Sequence, residues 1–136
     1  MKYLLDTNIC IFIINHRPYH ARERFARVRA GDIALSSVTL SELQYGVAKS
    51  ANPAKNQNAL RHFLIPLEVL PYTAAAAEEY GRLRRHLEQT GQPIGPMDLM
   101  IAAHALAERL VLVTNNRKEF ARVPGLLIED WSVPID

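Results

Sequence analysis

Cysteine is almost missing from this chain: among 136 residues there is one, Cys10, set in an apolar run. A lone thiol has no partner within the chain. That excludes a disulfide-built module and any zinc site that needs several thiolates. Long apolar runs are missing as well. The stretch from Tyr3 to Ile14 is broken by Asp6-Thr7-Asn8, so it does not read as a signal peptide. Nothing approaches the roughly 18 consecutive apolar residues of a spanning helix. A soluble, cytoplasmic protein with no membrane association is the expectation. An excess of either charge is also lacking: 16 Lys+Arg against 14 Asp+Glu leave +2, too mild by itself to announce a nucleic-acid binder. Finally, there is no P-loop, no dinucleotide-type glycine pattern and no Gly-x-Ser-x-Gly elbow.

What is present is the composition of a packed globular chain, 49% hydrophobic and 22% charged, of a length that suits one domain over residues 1–136. Short apolar runs alternate with helical patterns. Tyr3–Leu5 reads as a buried strand, followed by a polar turn at Asp6, Thr7 and Asn8 and an apolar helix from Ile9 to Ile14. Ile33–Leu35 repeats the scheme, with Ser36 and Ser37 ahead of a helix from Val38 to Lys49. Val69-Leu70 is a weaker strand, Leu110–Val113 the clearest, and Leu126–Ile128 a candidate edge strand. From Thr73 to Glu88 an apolar stripe of Ala76, Tyr80, Leu83 and Leu87 predicts an amphipathic helix. Met97–Leu110 is apolar almost all round, which predicts a buried helix entered through Gly95 and Pro96. Lys49–Asn58 and Thr90–Gly95 read as exposed connections. Strands alternating with helices imply an α/β fold: a mostly parallel sheet of four or five strands flanked by helices.

In such a sheet, ligands bind beyond the carboxyl ends of the strands. Asp6 follows the first strand, Glu42 lies in the first turn or so of the helix after the second, and Asp98 opens the buried helix. Thr114, Asn115 and Asn116 follow the Leu110–Val113 strand, with Glu119 just beyond. Each has a structural explanation taken alone. Asp6 suits a helix cap, Thr39-Leu40-Ser41-Glu42 is a capping-box pattern, Asp98 complements a helix dipole, and Asn115-Asn116 suits a turn. Together they bring carboxylates to one edge, where mutual repulsion is tolerated if a cation neutralises them. Oxygen donors without a His or Cys cluster point to a hard ion such as Mg²⁺ or Mn²⁺. Basic residues crowd Arg17–Arg29, Arg82–Arg85 and Arg117-Lys118. They form either a solvated helix face or a track for a polyanion.

The residues Leu4-Leu5-Asp6-Thr7-Asn8, Ser37-x-x-x-Ser41-Glu42-Leu43-x-x-Gly46 and Ile94-Gly95-Pro96-x-Asp98-Leu99-x-Ile101-Ala102-Ala103-His104-Ala105 resemble the PIN-domain family. The ending Leu112-Val113-Thr114-Asn115-Asn116, Glu119-Phe120, Val123-Pro124-Gly125-Leu126 and Glu129-Asp130-Trp131 is similar to its VapC toxin branch. The resemblance covers essentially the whole chain, in order. It implies a Mg²⁺- or Mn²⁺-dependent endoribonuclease toxin of a type II toxin–antitoxin pair, acting on single-stranded RNA. Initiator tRNA is a lead for the substrate. A homodimer is implied, as is a VapB-type antitoxin covering the acidic cleft, with operator DNA reached only through that antitoxin. Carried over by position, Asp6, Glu42 and Asp98 would be the acidic metal-site residues, with Thr7, Asn8 and Thr114 in support. Many members carry Asp where this chain has Asn116, so the fourth acid is either absent or supplied by Glu119; Glu119 is favoured. Arg17, Arg117 and Lys118 are the candidate RNA contacts. Two alternatives compete. A catalytically weak PIN-fold partner in a DNA-binding regulatory complex is favoured by the missing acid at Asn116. A phospho-accepting receiver would need a pair of acids after the first strand and a lysine after a late strand, where the chain has one acid, Asp6, and asparagines.

Overall fold

The computed structural model describes residues 1–134; the two C-terminal residues of the expected domain, Ile135 and Asp136, lie outside the described residues. Five parallel strands form one sheet: β1 (Tyr3–Leu5), β2 (Ile33–Ser36), β3 (Glu68–Leu70), β4 (Val111–Val113) and β5 (Ile128–Glu129), in the order β3-β2-β1-β4-β5. β1 is flanked on both sides, Leu4 pairing in register with Ala34 of β2 and Leu112 of β4. The expected parallel α/β architecture is therefore present, with five strands.

The central strands read as unbroken apolar runs because both faces of the sheet are covered. Alternate side chains feed two cores. Tyr3, Leu5, Leu35 and Val113 point to one, shared with Ile9 and Ile13 of α1 (Thr7–Asn15), Ala21 of α2 (Tyr19–Arg27), Leu43 of α3 (Ser37–Ala48), and Leu60 and Phe63 of α4 (Pro53–Leu64). Leu4, Ala34 and Leu112 point to the other. Leu83 and Leu87 of α5 (Ala74–Gln89), Leu99 and Ile101 of α6 (Pro96–Glu108) and Phe120 of α7 (Arg117–Phe120) fill it. Trp131 closes the first core, its ring edge-on to Tyr3 with centroids 5.2 Å apart.

Several boundaries differ from the sequence expectation. Thr7 and Asn8 are not a turn but the first residues of α1, because Asp6 caps that helix by accepting the Ile9 N–H at 2.9 Å. The capping box at Thr39–Glu42 does not form: α3 starts at Ser37, capped by Ser36 accepting from Val38 N–H at 3.1 Å. Glu42 therefore sits in the second turn. Residues 53–58, expected to be a connection, are the first half of α4. Its N-terminal half is polar and exposed, so the stripe that reveals an amphipathic helix is confined to Leu60, Phe63 and Leu64. Asn52 is its cap and Pro53 its first residue. The edge strand lies two residues later than Leu126, at Ile128–Glu129.

The chain runs from β1 outward to β2 and β3, then crosses back to place β4 on the other side of β1. This reversal opens a crevice beyond the carboxyl ends of β1 and β4, the edge to which Asp6 and Thr114 belong. No helix is long and apolar enough to cross a membrane among the described residues.

Candidate active site

Asp6 leaves β1 at the crevice, its backbone N–H still bonded to Val113 O at 2.9 Å. Only 4% of the residue is exposed. Burial pushes its carboxyl up from the ordinary 3.8 to about 6, with Asp98 and Asp130 adding like charge. The Thr114 hydroxyl and the Ile9 N–H pull the other way by hydrogen bonding to the charged form. Thr114 is itself buried at the end of β4 and accepts the Asn116 N–H at 3.0 Å.

Asp98 stands in the first turn of α6, half-buried. Its carboxyl is also pushed up to about 6, by burial first, then by the charges of Glu119 and Glu42. Glu42 is held by Thr7, whose hydroxyl donates to Glu42 Oε1 at 2.5 Å. Glu119 accepts from the Gly95 N–H through Oε1 at 2.9 Å and from Asn116 Nδ2 through Oε2 at 2.8 Å. The two fourth-position candidates are thus bonded to each other, Asn116 donating to the Glu119 carboxylate.

The sequence-predicted acids therefore lie near enough for their charges to act, Asp98 being raised by Glu42 and Glu119 and itself raising Asp6. They are not drawn into a closed cage: among the described residues no three His, Cys, Asp or Glu side chains gather around one point. The donor chemistry nonetheless suits a hard cation. Mg²⁺ keeps several waters and takes only one or two carboxylates directly, and Asp6 and Asp98 are the pair that could supply them. Carboxyls such as Asp6 and Asp98, whose hold on a proton is raised by neighbouring carboxylates, are groups whose repulsion a divalent ion would relieve.

Asn8, also expected in support, is exposed on α1. Arg17 follows the C-terminal end of α1, a helix of about 14 Å that separates it from the Asp6 cap. Arg117 and Lys118 open α7 beside Glu119, both exposed, with Arg117 Nε 3.9 Å from Asp130 Oδ2. The Arg82–Arg85 cluster is a solvated helix face, with Arg82 paired to Glu79 and Arg84 to Glu88. Asp130 is the residue that sequence reasoning missed. It follows β5, its side chain is 8% exposed, and it adds to the charge on Asp6. The signal was there, an acid directly after a strand, but the strand is a two-residue edge whose end was set too early.

Residues 3–126 match the family described as PIN domain. The tRNA(fMet)-specific endonuclease VapC of Shigella flexneri is 49% identical over 132 residues, covering 97% of this chain and 99% of that protein. Ribonuclease VapC2 of Rickettsia felis is 49% identical over 134 residues, 96% of this chain and 98% of that one. Among solved structures, DNA-bound VapBC from Salmonella typhimurium gives a TM-score of 0.91 at 48% identity, covering 96% of this chain and 98% of the other. VapBC2 from Rickettsia felis, bound to a DNA fragment from its promoter, gives 0.89 at 47% identity, covering 96% and 99%. Likeness that extends over nearly the full length, in sequence and in fold alike, puts the chain in the PIN-domain family, within its VapC group.

Proposed function

We propose that this chain is the toxin of a type II toxin–antitoxin pair, a Mg²⁺- or Mn²⁺-dependent endoribonuclease that cuts single-stranded regions of RNA. The observation that carries the reading is the approach of Asp6, Glu42, Asp98 and Glu119 to one another beyond β1 and β4, with Asp6 and Asp98 both pushed up to about 6, by burial first and then by neighbouring carboxylates. Such an arrangement costs stability and suits phosphodiester hydrolysis. The names of relatives support RNA as the substrate, and two of them specify tRNA(fMet), so initiator tRNA is the favoured target.

A bound divalent cation would neutralise charge on the scissile phosphate and acidify a water in its shell. Asp6 and Asp98 would hold it, directly or through water. Glu42, its carboxylate fixed by Thr7, is placed to ligate or to orient the attacking water. Arg117 and Lys118, exposed at the cleft, would hold the RNA strand. Attack by water on phosphorus breaks the bond to the 3′ oxygen, leaving a 3′-hydroxyl and a 5′-phosphate.

A VapB-type antitoxin would cover the cleft. An apolar groove of about 230 Å³ between α1, α3 and α4, lined by Ile11, Ile14, Leu43, Val47 and Leu60, opens beside Glu42 and offers such a partner a surface continuous with the site. Solved neighbours are VapBC complexes, some of them on DNA, which supports operator binding through the antitoxin. A cytoplasmic homodimer completes the reading. The second reading, a catalytically weak partner in a DNA-binding complex, draws on those same DNA-bound neighbours and on Asn116 standing where the family resemblance implies an acid.

Purified chain incubated with tRNA separates these readings. Cleavage is expected with Mg²⁺ and not with EDTA or in Asp98→Asn. Cleavage that survives chelation overturns the metal mechanism, and no turnover by the free wild-type chain favours the second reading.

A further inference from the structure

Asp130 stands beside the cleft without a part in the proposed reaction. Its side chain is 8% exposed, and a carboxylate buried that deeply is costly unless it is hydrogen-bonded and paired with a cation. Each oxygen meets one of these needs. Oδ1 accepts from the Ser132 N–H at 2.8 Å and from the Ser132 hydroxyl, which fixes the carboxylate on its loop. Oδ2 faces Arg117, whose Nε stands 3.9 Å away. The chain that carries Asp130 is tied down as well. Glu129 accepts from Arg24 Nη2 at 3.0 Å and from Trp131 Nε1 at 3.1 Å, and Trp131 is fully buried. A fixed anion thus adjoins Arg117, a side chain that is itself 65% exposed, and it is near enough to Asp6 to add like charge there. A guanidinium held at Nε keeps its two Nη groups for another acceptor, and that edge binds a phosphate by two parallel bonds. Arg117 and Asp130 also line a cavity of about 210 Å³, with Arg24 and Glu129, which leaves room for a ligand beside them.

We propose that Asp130 is a positioning residue for substrate binding: it tethers Arg117 through Nε so that the outer edge of the guanidinium meets a phosphate of the RNA strand as it leaves the cleft. The inference rests on the nuclease reading for its ligand. By charge alone, an acid at this place repels the phosphates of RNA. Only by orienting a cation can it favour binding, and that opposition of sign is what an experiment can read.

The test is a mutant cycle read as the Kd of labelled tRNA, in EDTA, on the Asp98→Asn chain so that no cleavage intervenes. Arg117→Ala is expected to weaken binding about tenfold, and Asp130→Asn about threefold or more. Asn at 130 still offers an oxygen to Ser132, and Arg117 is exposed, so the fold tolerates both; thermal melts check this. With Arg117→Ala already in place, Asp130→Asn is expected to act in the opposite direction. It then removes an anion that has lost its cation, and binding recovers about twofold or more. Arg117→Lys keeps the charge without the Nε tether or the fork, and is expected to bind about threefold or more weakly than Arg117. If Asp130→Asn strengthens binding, or leaves it unchanged, while Arg117 is present, Asp130 is a repelling charge and the positioning role is overturned. If it weakens binding equally with and without Arg117, it acts through the loop and not through Arg117, and the role is again overturned. Arg117→Lys within about twofold of Arg117 has the same consequence, since orientation then plays no part. Absence of tRNA binding by the otherwise unaltered chain overturns the nuclease reading together with this one, whereas tRNA binding without the reversal of sign overturns the role of Asp130 alone.

Discussion

As the cap of α1, Asp6 accepts the Ile9 N–H and sits at the positive end of the helix dipole, both of which stabilise the fold. As a carboxylate buried beside Asp98 and Asp130 it is costly. Its carboxyl is pushed up from 3.8 to about 6, so the folded chain holds the proton more tightly than the unfolded chain does. Stability from this group is therefore complete below about pH 4, is lost as pH rises towards 6, and stays lost above. Asp6→Asn keeps an acceptor for the cap and removes the charge. In EDTA at pH 8 this variant is expected to be more stable than wild type by on the order of 2 kcal/mol, a difference that vanishes near pH 4, while RNA cleavage is abolished. Thermal melts at the two pH values check the sign. Thr7 makes the complementary case. Thr7→Val removes the donor to Glu42 and is expected to cut kcat about tenfold while changing stability by less than about 1 kcal/mol.

At the scale of elements, the site exists because strand ends and helix starts coincide. Ser36 ends β2, caps α3 and meets the buried His104 of α6, Oγ to Nδ1 at 2.8 Å. His104 Nε2 has no partner and burial lowers the pKa of the ring, so the bond to Ser36 is the one that holds the imidazole. Ser36→Ala removes the cap and the bond together and is expected to cost about 1–3 kcal/mol in urea unfolding. Its effect on kcat should be small, because the bonds lost are to Val38 N–H and His104 Nδ1 and not to a cleft carboxylate. The same coincidence explains the misplaced capping box. Thr39 and Glu42 have the right spacing, but Thr39 is buried within α3 and Ser36 already holds the cap.

For the whole molecule, the small net charge of +2 conceals a separation of signs: acids line the crevice and Arg117 and Lys118 stand beside it. Charge neutralisation of RNA phosphates releases counterions, so affinity for RNA is expected to fall steeply with salt. Arg117→Ala with Lys118→Ala should weaken binding of a catalytically inactive Asp98→Asn chain and reduce the salt slope by about one for each phosphate no longer neutralised. Titration of labelled tRNA at several KCl concentrations measures both. An unchanged slope would remove these residues from the RNA track.

Much of this protein was decided locally. Continuous apolar runs bounded by polar residues located β1, β2 and β4, because strands buried on both faces need no alternation. The all-round apolar stretch after Pro96 located α6, because a helix between a sheet and another helix needs no polar face. Asp6, Glu42 and Asp98 followed from the rule that binding residues lie beyond the carboxyl ends of parallel strands. Other features depend on partners far away in the chain. The polar start of α4 is helical because Leu60 and Phe63 have a core to enter, and Asp130 joins the cleft because the short β5 pairs with β4. Glu119 accepts the Gly95 N–H only once α7 is brought to the N-terminus of α6. Hydrophobic pattern and turn chemistry act over a few residues and are written in order along the chain. Which carboxylate takes which N–H is settled by distances that exist only after the sheet has closed its strand order.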